Sequence, residues 1–151
     1  MQNAEIDFIV EPKIINEIFN DFKHKSPFNL EKIIKDYIKQ YKIQDETQFF
    51  VLLSQELKSA YKHISNRHYI YHSHSFYSVV IIKYRMSDFT QNKGKSSGFR
   101  VVALVDEINK LFYLLDLYKH SDGKDNLTPD EKTKLKELCD EYTEIYKDNL
   151  C

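Results

Sequence analysis

Long hydrophobic runs and closely spaced cysteines are both missing from this sequence. A membrane-spanning helix needs about 18 consecutive apolar residues, and no such run is present. Met1 to Glu5 lacks the basic and apolar regions of a secretory signal peptide. Cys139 and Cys151 form no CxxC pair, and neither lies beside a histidine at metal-ligand spacing. We therefore expect a cytoplasmic protein that has no structural disulfide and does not associate with membranes.

A large charge surplus is missing as well. The formal net charge is -1, whereas a protein that coats nucleic acid indiscriminately needs excess Lys and Arg to displace counterions from phosphate. The charge is nevertheless uneven, because residues 83–100 contain five basic side chains and one acidic side chain, Asp88. The basic residues are Lys83, Arg85, Lys93, Lys95 and Arg100. This distribution is typical of a local anion site in a chain that is otherwise neutral or acidic.

The length of 151 residues allows one hydrophobic core and is short for two ordinary domains, so we predict a single domain over residues 1–151. Its first part, residues 1–75, contains a strand and several helical patterns. A strand is predicted from Ile6 to Val10, a helix from Pro12 to about Lys23, and a second helix capped by Asn29. A third helix is predicted from about Asp45 to Ser65. No internal repeat or low-complexity segment is present.

Residues 76–120 are predicted to form antiparallel strands with a basic loop, because β-branched and aromatic residues dominate there. The strands run from Phe76 to Arg85, from Phe99 to Val105 and from Leu111 to Tyr118. A last helix over residues 128–148 has Thr128 as its cap, Pro129 at its first position and Glu131 closing a capping box. The expected fold is α+β, with helices packed on a small antiparallel sheet of about four strands.

The residues between Val79 and Tyr142 resemble a known family. A strand ending in Lys83-Tyr84-Arg85 is followed by a basic loop and by the turn from Gly94 to Arg100, which leads into a Val-rich strand. Next come an Asp-Glu turn, an aromatic strand from Phe112, and the segment from Asp125 to Glu131 that opens a Leu-rich helix. This order is similar to the HigB-like branch of the RelE/ParE superfamily, the toxins of bacterial type II toxin–antitoxin systems.

The resemblance implies a RelE-like fold and an endoribonuclease that cleaves messenger RNA, often on the translating ribosome. The helical N-terminal region of this chain, residues 1–75, is enlarged relative to the strand and helical hairpin usual in that family. The resemblance also implies a cognate antitoxin protein as partner, and no cofactor. Two alternatives share the fold, namely a catalytically silent protein-binding module and a gyrase-directed toxin of the ParE kind. The fold alone does not decide between these activities.

Cleavage of RNA without a metal ion needs a base for the 2′-hydroxyl proton, an acid for the leaving 5′-oxygen, and fixed cations beside the phosphate. Arg100 matches the family's Gly-aromatic-Arg step and is our candidate for transition-state stabilisation. Lys83 and Arg85, two residues apart on a strand, point to one face and match the family's Lys-x-Arg. Lys93 and Lys95 match its basic loop, where a lysine serves as base or phosphate clamp.

Tyr118, Lys119 and His120 occupy the stretch where relatives carry an arginine, histidine or tyrosine. His120 is the group that titrates near neutral pH without help, so we expect it to act as general acid or base. The predicted catalytic residues are therefore Arg100, His120, Lys95 and Tyr118, and the predicted phosphate-binding residues are Lys83, Arg85, Lys93 and Lys119. The alternative interpretation is structural. Without a functional site, these lysines and arginines are solvated charges at strand edges and in loops, and Tyr118 is a core residue.

Four histidines, His63, His68, His72 and His74, precede the strands without a carboxylate or cysteine to complete a metal-binding set. We expect no metal site there. The aromatic residues among them, from Tyr69 to Tyr77, could stack on RNA bases, although aromatic residues at strand spacing more often belong to the core or the sheet surface.

Overall fold

The computed structural model describes residues 5–63, 69–73, 79–87, 98–119 and 127–146, and for residues 69–73 it describes the backbone alone. The elements in chain order are β1 (Asp7–Ile9), α1 (Pro12–Ile18), α2 (Leu30–Gln40), α3 (Glu46–Lys62), β2 (Tyr69–Ser73), β3 (Val79–Met86), β4 (Phe99–Asp106), β5 (Leu111–Lys119) and α4 (Pro129–Tyr146).

The predicted α+β class is confirmed, and the sheet is larger than the sequence suggested. It has five strands in the order β1-β5-β4-β3-β2. Strands β2 to β5 pair antiparallel, whereas β1 runs parallel to β5, with Phe8 opposite Phe112. The sheet is therefore mixed. The additional strand is β2, which pairs with β3 over residues that the sequence analysis had not assigned to a strand.

Side-chain caps fix the beginnings of three helices, and those of α2 and α4 were predicted from the sequence. Asn29 Oδ1 accepts from Lys32 N at 3.1 Å at the start of α2, and Asp45 Oδ1 accepts from Gln48 N at 3.1 Å at the start of α3. The predicted capping box of α4 is confirmed, because Thr128 N donates to Glu131 Oε1 and Glu131 N donates to Thr128 Oγ1. These bonds satisfy backbone donors that a helix start leaves without an intrahelical acceptor.

Helix α1 ends at Ile18, before the predicted end at Lys23. The chain turns at Phe19 and Asn20, and the ammonium of Lys25 donates to both of their carbonyl oxygens, at 2.8 and 2.6 Å. The Lys25 ammonium thus replaces the backbone hydrogen bonds that these two carbonyl groups would have accepted in a longer helix.

The helices cover both faces of the sheet. On one face, α2 places Tyr37 edge-on to Phe99, with ring centroids 5.4 Å apart, and α3 places Tyr61 against Tyr84 at 6.1 Å. Leu53 of α3 is fully buried. The enlarged N-terminal helical region therefore forms part of the core. Within the described residues, no helix is long and apolar enough to cross a bilayer.

Helix α4 lies on the opposite face and covers one end of it. The Tyr142 hydroxyl donates to Asp106 Oδ2 at 2.6 Å and lies 3.3 Å from the Tyr113 hydroxyl. Both Asp106 and Tyr113 lie toward the β4–β5 turn, and Cys139 of α4 reaches the carbonyl oxygen of Val79 at 3.7 Å. The other end of the same face holds charged side chains.

Candidate functional site

Two rows of residues cross the central strands and place charged side chains on one face. The register pairs Lys83 with Val102 and Val102 with Asp116, and it pairs Arg85 with Arg100 and Arg100 with Tyr118. Directly paired residues point to the same side of a sheet, and residues two apart on a strand do as well. We call the resulting set, Lys83, Arg85, Arg100, Asp116 and Tyr118, the polar cluster.

Most of the polar cluster is shielded from solvent. Lys83 is 6% exposed, Arg100 is 7% exposed and Tyr118 is 6% exposed, whereas Arg85 is exposed. The ammonium of Lys83 lies 5.5 Å from the centroid of the Tyr118 ring. Lys83 lies on β3 and Tyr118 on β5, with β4 between them, so the lysine side chain reaches across β4. Partly desolvated cations attract a phosphate more strongly than cations in bulk water.

Two arginines face each other in this cluster. Arg85 and Arg100 are direct cross-strand partners on β3 and β4. Like charges in that arrangement destabilise a sheet, because the paired Cβ atoms lie only about 5 Å apart. An anion bound between the two guanidinium groups would offset that repulsion, and a guanidinium can bridge two phosphate oxygens.

Gly98 allows β4 to start close beside the end of β3. A Cβ atom at this position would lie 2.1 Å from the carbonyl oxygen of Met86 and 3.1 Å from its carbonyl carbon. The glycine is therefore required for close approach of two backbones, in addition to any role in the turn before it. This approach places Phe99 opposite Met86 and, one residue later, Arg100 opposite Arg85.

The carboxylate of Asp116 belongs to the cluster and was not anticipated from the sequence. It is 2% exposed, and its Oδ1 accepts from Leu117 N at 2.9 Å. A signal was present, since Asp116 is the one charged residue in the run from Leu111 to Tyr118 and precedes Tyr118 by two positions. Strand alternation alone would have placed it on the face of Tyr118.

Lys119, which the sequence suggested as a phosphate ligand, lies on the other face of the sheet. Its ammonium is 4.3 Å from the centroid of the Tyr41 ring and 5.2 Å from that of Phe99. The side chain is 7% exposed, so its stem is packed between β4 and the end of α2. The structure does not bring Lys119 together with the polar cluster.

Three of the predicted site residues, Lys93, Lys95 and His120, lie outside the described residues. In the sequence the two lysines belong to the segment that joins β3 to β4, and His120 directly follows β5. Among the residues that the structure describes, no group of three His, Cys, Asp or Glu side chains could hold a metal ion.

Comparison with known proteins agrees with this architecture. The chain matches, over residues 31–151, the family described as the RelE toxin of the RelE/RelB toxin–antitoxin system. The matched range begins in α2 and includes the whole polar cluster. No curated protein and no solved structure shows significant similarity to the chain. The match covers most of the sequence, and the chain therefore belongs to the RelE toxin family, the toxins of toxin–antitoxin systems whose partner is an antitoxin protein.

Proposed function

We propose that this toxin is a metal-independent endoribonuclease that cleaves messenger RNA at the polar cluster. The observation that carries the proposal is the convergence of Lys83, Arg85, Arg100 and Tyr118 on one face of the sheet. Three of these four residues are cations, and two of those cations are largely buried. Such an arrangement suits a single phosphodiester better than a long nucleic-acid backbone.

In the proposed reaction, the 2′-oxygen of a ribose attacks the adjacent phosphorus after losing its proton to a base. The bond from phosphorus to the 5′-oxygen breaks, and an acid protonates that oxygen, which leaves a 2′,3′-cyclic phosphate and a 5′-hydroxyl. Negative charge builds up on the non-bridging phosphate oxygens in the transition state. Fixed cations that are already oriented stabilise this charge without reorganising.

We assign to the Arg100 guanidinium the stabilisation of the negative charge in the transition state. Arg100 lies between Arg85 and Tyr118 in the cross-strand row and is shielded from solvent. Lys83 and the exposed Arg85 hold the flanking phosphate oxygens. Tyr118 lies directly beside Arg100 and offers a hydroxyl for orienting the reacting groups. We assign proton transfer to His120 and Lys95, which belong to the sequence segments directly after β5 and between β3 and β4.

Expression in cells provides a first test. The wild-type toxin should arrest growth and shorten the lifetime of messenger RNA, and Arg100→Ala should do neither. Lys119→Met is the matched control, because it removes a buried cation on the other face of the same sheet. This control should keep its toxicity.

Two results would contradict the proposal. Growth arrest with a DNA-damage response and intact messenger RNA would indicate a gyrase-directed toxin. Equal toxicity of Arg100→Ala and wild type, with both proteins folded, would show that the polar cluster does not perform the reaction. Cleavage assays with free RNA and with translating ribosomes then establish whether the ribosome is required.

A further inference from the structure

A buried carboxylate lies within the cationic site and has no evident reason to be there. Asp116 is 2% exposed and shares a face with Lys83 and Arg100. Its negative charge opposes the binding of a phosphate, because like charges repel more strongly where water is excluded. A site selected only for affinity would carry a neutral side chain at this position. The carboxylate must therefore serve the cations rather than the substrate.

The strand register shows which groups the carboxylate can reach. Val102 separates Asp116 from Lys83 in one row, and its short apolar side chain allows the lysine to extend over it. The Lys83 ammonium does extend this way, since it lies 5.5 Å from the ring centroid of Tyr118, which is two residues from Asp116 on β5. Arg100 is the diagonal neighbour of Asp116 on β4, within reach of a long side chain.

Burial makes an opposite charge necessary at this place. Lys83, Arg100 and Asp116 are each less than a tenth exposed, and charges taken out of water need oppositely charged partners. The carboxylate is itself held in place, because its Oδ1 accepts the hydrogen bond from Leu117 N. Because the Asp116 carboxylate is fixed to its own strand, it can restrict the positions of the flexible Lys83 and Arg100 side chains.

We propose that Asp116 is a positioning residue that orients the Lys83 ammonium and the Arg100 guanidinium toward the scissile phosphate. This inference rests on the proposed ribonuclease function. It predicts a split between two kinetic constants. Without the carboxylate, the site gains one unit of positive charge, so RNA binds with unchanged or higher affinity. The cations lose their orientation at the same time, so the chemical step slows.

Asp116→Asn is the variant to test, because it removes the charge and keeps an oxygen that can accept from Leu117 N. We expect kcat to fall about 10- to 100-fold, because displacing catalytic groups by about 1 Å can slow a reaction by up to about 100-fold, and we expect KM not to rise. Asp106→Asn is the matched control. Asp106 is also fully buried, but its carboxylate binds Tyr142 and Asn109. The control should lose stability and keep kcat per folded molecule.

A double-mutant cycle separates positioning from general structural support. If Asp116 acts through Lys83, then adding Asp116→Asn to Lys83→Met should slow cleavage much less than it slows the wild-type enzyme. Should Asp116→Asn fail to fold, Lys83→Met combined with Asp116→Leu replaces both charges with apolar groups. This double variant should fold, and relative to Lys83→Met alone its cleavage should slow by less than Asp116→Asn slows the wild type, because only the orientation of Arg100 is still lost.

A second readout does not depend on catalysis. Acylation of Lys83 by a lysine-specific reagent, followed by mass spectrometry, should be faster in Asp116→Asn than in wild type or Asp106→Asn, because the ammonium is no longer held in the cluster. If the wild-type protein cleaves no RNA but Lys83 labelling still rises in Asp116→Asn, the proposed function fails, whereas the conclusion that Asp116 holds the Lys83 ammonium stands. If Asp116→Asn matches Asp106→Asn in both kcat and labelling, the positioning role is overturned.

Discussion

Replacing Gly98 with alanine should separate catalysis from stability in this fold. The added Cβ would lie 2.1 Å from the Met86 carbonyl oxygen, and ordinary van der Waals contact begins at 3.4 Å. The start of β4 must therefore move away from β3 by about 1.3 Å, the difference between these two distances. The contact atom belongs to the backbone of a buried strand, so a side-chain rotation cannot relieve the clash.

Two effects of different size follow from this displacement. Overpacking of this kind costs about 1 to 3 kcal/mol of folding free energy. Arg100 lies two residues further along the displaced strand, opposite Arg85 and Tyr118. Misplacing a catalytic group by about 1 Å can slow a reaction about 100-fold, so kcat should fall by roughly that factor in Gly98→Ala.

Val105→Ala is the control, since Val105 is fully buried at the other end of the same strand. Its loss of two methyl groups should cost a similar amount, about 1 to 3 kcal/mol, without moving Arg100. RNA cleavage is measured for both variants and divided by the folded fraction obtained from denaturant titration. Equal rates per folded molecule for Gly98→Ala and Val105→Ala would refute the reasoning.

Three further predictions concern α4. Tyr142→Phe should lower the free energy of unfolding by about 1.5 to 3 kcal/mol in denaturant titration, because it removes a 2.6 Å hydrogen bond to the buried carboxylate of Asp106; an unchanged midpoint would contradict this. Burial raises the pKa of Glu141, but hydrogen bonds from two backbone N–H groups after α1 and nearby positive charges outweigh it, and the net pKa lies below the ordinary 4.5. The ionised Glu141 carboxylate therefore stabilises the folded state above pH 4.5, and this stabilisation is lost as the pH falls through the lowered pKa of Glu141. Denaturant titration should accordingly find Glu141→Gln less stable than wild type at pH 7 and equally stable in strong acid. Burial raises the pKa of Cys139 to about 12, so in a Cys151→Ser background iodoacetamide should label it at pH 8 only after unfolding.

Local chemistry in the sequence predicted the elements that position the site. The capping box at Thr128 and Glu131 marks the start of α4, and β-branched and aromatic composition marks β3, β4 and β5 within one or two residues wherever the structure describes them. Period-two alternation also placed Lys83 and Arg85 on one face. Each of these predictions depends on residues that are close together in the chain.

What the sequence could not supply depends on pairing between distant residues. Strand β1 is three residues long, and its parallel partner β5 lies about a hundred positions away, so no local pattern indicates the pairing. The opposition of Arg85 and Arg100 depends on the register that Gly98 allows. The irregularity beside Val102 further alters which β5 residues share its face.

The different faces of Tyr118 and Lys119 were accessible to sequence reasoning. Consecutive strand residues point to opposite sides, so the two residues could not both belong to one site on the sheet. The resemblance to the family grouped them by position along the chain, whereas the structure places Lys119 over the ring of Tyr41. Alternation within a strand is therefore a useful filter on residues carried over by resemblance.

The most direct test of the account is RNA cleavage by purified protein, with free RNA in the presence of EDTA and with translating ribosomes in a magnesium-containing buffer. The account predicts that the wild-type toxin produces fragments ending in a 2′,3′-cyclic phosphate, and that Arg100→Ala is about 100- to 1,000-fold slower. Lys119→Met should cleave at the wild-type rate. Intact RNA with both substrates, or an Arg100→Ala variant as fast as wild type, would contradict the assignment of the polar cluster as a ribonuclease site.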